Sequence, residues 1–222
     1  MLNQITVAIM CYGLCGRGYN RSKIEIEGLT NYLYSCIDCI VKMHTSGRLS
    51  GVVFCGGFTN PDFPLESEAA TTEEYFWVLA REHGLYPGLF PVLLEEKSCN
   101  TAQNIIFTGN FIRGNPNYFT AEELLEAVKE NPSKAKVIKE TIGQWRKLSP
   151  HIMFVCDMLR RQKVEMLLFY ARMSMPKNFR LEARSFRRKD IHPNSTWCKQ
   201  FLLTAGYLFD PELFRNDLRA GQ

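Results

Sequence analysis

The segment EEKSCNTAQN, residues 95–104, places carboxylate, hydroxyl and amide side chains close together in sequence, where an apolar run gives way to a helical pattern. Carboxylates accept hydrogen bonds from hydroxyl or amino groups and can exchange protons, so Glu95 is a candidate for acid–base chemistry or ligand binding. Helix capping would use only one of these groups, either Asn100 or Ser98. The excess favours a ligand-facing role over a purely structural one. The candidate ligand-binding residues of this segment are Glu95, Ser98, Asn100, Thr101 and Asn104.

Two further candidate pairs follow the apolar run that ends at residue 55. Gly56 and Gly57 come directly after it, and either a tight turn or close approach of a ligand would explain glycine there. Ser67 and Glu68 open the next helical segment. Capping alone would account for both, because serine accepts at a helix start and an acidic first turn suits the helix dipole. Glu68 is nevertheless the second candidate acid or base.

A glycine-rich segment, YGLCGRGYN, follows the first apolar run. Its G-x-x-G-x-G order, which begins at Gly13, differs from the dinucleotide fingerprint G-x-G-x-x-G. A flexible strand-to-helix turn is the simpler interpretation. The alternative is backbone approach to a phosphate or another anion, and it makes Gly13 a candidate binding residue.

Composition excludes several other classes of function. The net charge of +4 over 222 residues is too small to indicate nucleic-acid binding, and the basic run at 180–189 contains a single aromatic residue, Phe186, rather than the interleaved series that single-stranded nucleic acid requires. The eight cysteines and four histidines lack zinc-ligand spacing, so we expect no metal site and mostly buried, reduced thiols. The sequence shows neither a signal peptide nor a membrane span, which predicts a cytoplasmic protein.

The order of apolar and helical patterns must position these candidates. Apolar runs at 5–11, 51–57 and 90–96 predict buried strands, and periodic segments at 23–45, 67–84 and 100–113 predict helices. This βαβαβα alternation indicates a parallel sheet with helices on both faces. We therefore predict a Rossmann-like α/β three-layer sandwich. The carboxyl ends of its strands should bring the candidate residues around one hollow.

The second half of the chain resumes this pattern after an insertion. Residues 114–150 predict a helical hairpin, with Thr120 and Glu123 in a capping-box pattern. A strand at 151–156, a helix at 159–173, a strand near 179–186 and a helical tail at 195–214 follow. We expect a single domain over residues 1–222, with the hairpin inserted into it.

The combined motifs resemble the YdcF/SanA-like family of largely uncharacterised proteins. The resemblance extends over about residues 5–161 and rests on VVFCGG, then SEA, then E-x-x-S-x-N-T-x-x-N, which here comprise Val52, Gly57, Ser67, Glu68, Ala69, Glu95, Ser98, Asn100, Thr101 and Asn104. It implies a Rossmann-like fold with polar residues gathered in one cleft. One branch of the family has been linked to S-adenosylmethionine, which makes that molecule a candidate cofactor here.

The sequence departs from the family pattern at three places. Gln103 stands where the family often has glutamate, and Arg160 lies near the position of a family histidine. Many relatives also carry an N-terminal membrane anchor, which this sequence does not show. The resemblance therefore implies a binding role for Arg160, which could offset negative charge on a ligand, rather than the chemistry of a histidine.

Three hypotheses follow. The first is a protein that binds a small polar, nucleotide-like or phosphate-bearing ligand in the cleft. The second is a transferase or hydrolase of phosphorylated or nucleotide substrates that uses Glu68 or Glu95. The third is a non-catalytic interaction protein whose partner binds the hairpin at 114–150. The first is the leading hypothesis, because polar groups accumulate at the strand ends, and the other two are its alternatives.

Overall fold

The computed structural model describes residues 4–11, 23–59, 64–113, 140, 143–145, 147–187 and 212. Strands and helices alternate along this part of the chain. In chain order the elements are β1 (Ile5–Met10), α1 (Lys23–Thr45), β2 (Leu49–Cys55), α2 (Glu68–Ala80), β3 (Val92–Glu95), α3 (Thr101–Arg113), β4 (His151–Asp157), α4 (Arg161–Ser174) and β5 (Arg180–Phe186).

The strands form a five-stranded sheet in the order β3-β2-β1-β4-β5, and each neighbouring pair is parallel. This confirms the predicted α/β fold, a Rossmann-like three-layer sandwich. The chain builds outward from β1 to β3 and then continues on the other side of β1 with β4. In such sheets, ligands bind near the carboxyl ends of the strands that flank this reversal.

The two faces of the sheet are covered by different helices. Val7 and Ile9 pack with α1 and α2, whereas Ala8 and Met10 pack with α3 and α4. Because strand side chains alternate between faces, burial on both sides requires an unbroken apolar run, and every residue of β1 is buried. The sheet is thus the middle layer of the molecule.

Helix ends differ slightly from the predicted boundaries. α2 ends at Ala80, and a 3₁₀ turn over Arg81–His83 completes the segment before Gly84, whose φ of 74° is the left-handed conformation expected at a helix end. A second 3₁₀ turn, Met158–Arg160, delays the start of α4 to Arg161.

Most of the predicted insertion, including its capping box at Thr120, lies outside the described residues, as does most of the predicted helical tail at 195–214. At the described end of the insertion, the Trp145 and Phe111 rings stack with their centroids 4.2 Å apart. Trp145 and Leu148 are buried in the core on the α3 and α4 face. This end of the insertion is therefore part of the fold. Of the helices that the structure describes, none has the length and apolar character to cross a bilayer.

Candidate functional site

The end of β2 and the start of α2 are tied together by backbone hydrogen bonds. The N–H groups of Glu68 and Ala69 donate to the carbonyl oxygens of Gly57 and Gly56, at 3.0 and 2.9 Å. These bonds use donors that a helix start ordinarily leaves without an intrahelical partner. They also fix the Glu68 side chain beside the strand end.

Close approach of the chain to itself explains both glycines. A Cβ at Gly57 would lie 2.5 Å from the Ser98 carbonyl oxygen and 2.6 Å from that of Glu96. A Cβ at Gly56 would lie 2.8 Å from the Glu68 Cβ. Glycine is therefore required by packing between neighbouring loops, before any ligand is considered.

Ser67 and Glu68 face different partners at the start of α2. Ser67 Oγ accepts from the Ala70 N–H at 3.0 Å, which confirms the predicted N-cap, and it donates to Glu96 Oε1 at 2.5 Å. Glu68 Oε1 accepts from the Thr59 hydroxyl at 2.8 Å. Glu68 is 8% exposed while Thr59 is exposed, so this carboxylate lies just beneath the surface.

Glu95 holds the loop that follows β3. Its side chain is fully buried, and Oε1 accepts from the backbone N–H groups of Lys97 and Ser98 at 2.9 and 3.0 Å. Charge-assisted bonds of this kind offset part of the cost of removing a carboxylate from water. The contacts thus give Glu95 a definite structural role.

The remaining candidates of the opening segment also bond to one another. Asn100 Oδ1 accepts from the Gln103 N–H at 2.9 Å, which caps α3, and Ser98 Oγ donates to Asn104 Oδ1. Gln103 Oε1 in turn accepts from the Cys99 N–H at 2.6 Å. Thr101, the first residue of α3, is 7% exposed. The polar side chains of Ser98, Asn100, Gln103 and Asn104 are therefore engaged in capping α3 and in closing the loop before it.

Arg160 lies at the end of β4, where its Nε is 3.3 Å from Asp157 Oδ2. Asp157, which is buried, also accepts from the Leu159 N–H at 3.0 Å. The sequence interpretation did not include Asp157, although a carboxylate at the end of an apolar strand is the kind of signal that could have found it. Since β1 separates β4 from β2, this pair lies roughly 10 Å along the sheet edge from Gly57. Gly13 lies outside the described residues.

Cys11, just after the central strand β1, lies near both candidate carboxylates. Burial raises the pKa of its thiol far above the ordinary value. A hydrogen bond with Thr72 lowers this pKa, and the negative charges of Glu68 and Glu95 raise it further. Gly56 gives the geometry, because a Cβ there would lie 3.0 Å from Glu68 Oε2 and 3.1 Å from the Cys11 carbonyl oxygen, while its N–H donates to the Glu95 carbonyl oxygen at 2.9 Å. The structure therefore brings Glu68 and Glu95, which are distant in sequence, to one place beside β1.

The buried thiols at the strand ends are not nucleophiles at neutral pH. Burial raises the pKa of Cys11 and of Cys55 well above the ordinary value, and that of Cys156 to about 12. A thiol with so high a pKa stays protonated, and the thiolate is the reactive form. Among the described residues, no three His, Cys, Asp or Glu side chains are grouped so that they could hold a metal ion.

The fold and the strand-end cluster define an α/β protein of Rossmann-like architecture with buried carboxylates at the carboxyl ends of its strands. No family model, curated protein or solved structure matches the chain. The similarity to the YdcF/SanA-like family consequently rests on the sequence motifs alone.

Proposed function

We propose that the cluster at the carboxyl ends of β1, β2 and β3 binds a small polar, nucleoside-like ligand through hydroxyl or amino donors. The single observation that carries this proposal is the convergence on Gly56: a Cβ there would lie 3.0 Å from Glu68 Oε2 and 3.1 Å from the Cys11 carbonyl oxygen, and its N–H donates to the Glu95 carbonyl oxygen at 2.9 Å. Glu68, an acceptor-only side chain just beneath the surface, suits a ligand rich in donors, and the buried Glu95 beside it adds negative charge. A ribose, whose hydroxyls are commonly bound by a carboxylate in Rossmann-like proteins, has this character.

The charges favour the nucleoside part of a ligand over a phosphate. Phosphate binding at a helix start needs available backbone N–H groups. At α2, the N–H groups of Glu68, Ala69 and Ala70 already donate to Gly57, Gly56 and Ser67. Of the predicted ligands, S-adenosylmethionine combines a ribose with a positive sulfonium and no phosphate, so it fits two nearby carboxylates better than a nucleotide does.

The two carboxylates take different roles in this proposal. Glu95 is fully buried and shapes the loop after β3. Glu68 lies close to the surface beside Thr59, so a modest movement of the Thr59 hydroxyl would open it to a ligand. Arg160, held by Asp157 on the far side of β1, borders the same sheet edge and would contact an anionic substituent of the ligand.

The position of Glu68 also supports an enzymatic alternative, a transferase or hydrolase of a nucleotide substrate. A carboxylate near the surface, within reach of a bound ligand, can accept or donate a proton. In that case, Glu68→Gln would abolish turnover and retain binding. If turnover persists in Glu68→Gln, the carboxylate is not the acid or base.

Thermal unfolding in the presence of adenosine, AMP, ATP, S-adenosylmethionine and sugar phosphates tests the proposal. A ligand at one hundred times its dissociation constant stabilises the folded state by about 2.7 kcal/mol, which raises the melting temperature of a chain of this size by about 5–10 °C. We expect the shift for an adenosine-containing ligand to shrink in Glu68→Gln and to persist in Glu74→Gln, an exposed residue on the same helix. The absence of a shift with every compound would refute the proposal.

A further inference from the structure

A cavity lies along the outer edge of β3, away from the strand-end cluster. It has a volume of about 650 Å³, and β3 is an edge strand of the sheet. Volumes of this size are typical of small-molecule sites. Its lining includes Glu73, Trp77, Leu89, Phe90, Val92 and Lys147 but none of the strand-end candidates.

One wall of this cavity is aromatic. The Trp77 and Phe90 rings stack with their centroids 6.1 Å apart and their planes 26° apart. Both rings are mostly buried, which holds them in place, and Val92 and Leu94 continue the apolar surface along β3. Such a wall would bury a flat or branched apolar group on a ligand.

A carboxylate borders this wall. Glu73 Oε1 accepts from the Trp77 indole N–H, which orients the carboxyl group next to the rings. Burial raises the pKa of Glu73 above the ordinary value, while the bond from Trp77 acts in the opposite direction. Glu73 is half-buried, so a cationic ligand group beside it would replace part of the hydration that the carboxylate loses.

Lys147 borders the cavity from the opposite face of the sheet. Glu73 belongs to α2, which packs on the β1 face with Val7. Lys147 precedes Leu148, which is buried against the opposite face. The edge of β3 thus lies between a carboxylate and an ammonium group, with aromatic rings beside them.

We propose that this cavity binds a hydrophobic α-amino acid. The ammonium group of the ligand would meet Glu73, its carboxylate would meet Lys147, and its side chain would lie against Trp77 and Phe90. A simple amine would leave Lys147 facing a ligand of the same charge, and a simple acid would do the same at Glu73. A ligand that carries both charges would complement both groups.

Calorimetric titration with phenylalanine, phenethylamine and 3-phenylpropionate tests this site. We expect phenylalanine to bind and the two single-charge analogues to bind at least about tenfold more weakly, since a charge-assisted hydrogen bond is worth about 1.5–3 kcal/mol. Failure of phenylalanine to bind at about 10 mM, or equal binding of all three compounds, would overturn the proposal.

Matched variants separate binding from folding. Glu73→Gln keeps an oxygen that can accept from Trp77 and removes the charge, so it should lower phenylalanine affinity about tenfold with an unchanged circular dichroism spectrum. Glu74→Gln on the exposed face of α2 removes the neighbouring charge, which is outside the cavity lining, and should lower this affinity much less than Glu73→Gln does. Equal loss of affinity in Glu73→Gln and Glu74→Gln would overturn the site.

Discussion

The approach of Gly57 to the loop after β3 makes alanine at this position a sensitive test of the strand-end geometry. The added Cβ would lie 2.5 Å from the Ser98 carbonyl oxygen and 2.6 Å from that of Glu96. Both oxygens belong to the backbone, so the two loops would have to separate. Overpacking of this kind costs about 1–3 kcal/mol, and loss of the 2.9 Å bond from the Gly57 N–H to Ser98 would add about 1 kcal/mol.

The expected loss for Gly57→Ala is therefore about 2–4 kcal/mol, which corresponds to a melting temperature lowered by roughly 4–16 °C. Urea unfolding followed by circular dichroism measures it directly. Gly143→Ala is the matched control, because a Cβ there meets nothing within 4 Å and the residue is helical. This control should be neutral or slightly stabilising. A Gly57→Ala protein as stable as Gly143→Ala would refute the packing described between the loops.

Three further outcomes follow from the contacts at the strand ends. Asn100→Ala should lower the free energy of unfolding by about 1 kcal/mol, because it removes the α3 cap. Asn110→Ala on the same helix should have no such effect, and equal urea midpoints for the two variants would contradict the prediction. Ser67→Ala should lower the free energy of unfolding by about 1–2 kcal/mol in the same assay, since it removes both the α2 cap and the hydrogen bond to Glu96. A urea midpoint equal to that of the wild type would show that neither contact contributes to stability. Pulse alkylation with iodoacetamide at about pH 8, read by peptide mass spectrometry, should modify exposed Cys99 and spare Cys156; rapid labelling of Cys156 would contradict its burial.

The fold was predictable because parallel strands buried on both faces leave a clear mark in sequence. Residues of β4 from Ile152 onward are buried, and their apolar run is uninterrupted up to Asp157. The start of β2 was missed, since the polar Ser50 lies inside it. Ser50 is buried because its hydroxyl bonds with that of Thr6 on β1 at 2.9 Å. A partner so far away in sequence cannot be inferred from local pattern.

The candidate site was predictable to the extent that it depends on local chemistry. The cap at Ser67 follows from residue type and position next to a helical segment. For α3, residue type left both Ser98 and Asn100 as possible caps, and the structure assigns the cap to Asn100. The bond between Ser67 and Glu96, and the position of Glu68 beside Cys11, depend on how loops from different strands approach each other. Spacing along the chain contains no information on that approach.

Because Glu95 accepts from two backbone N–H groups, replacing this side chain would release the turn that follows β3, whatever molecule the protein binds. Thr59 is exposed and Arg160 is half-buried, so substitutions at these two positions would disturb fewer buried contacts. Under the proposed function, ligand preference would therefore change through Thr59 and Arg160 while the buried carboxylate stays fixed.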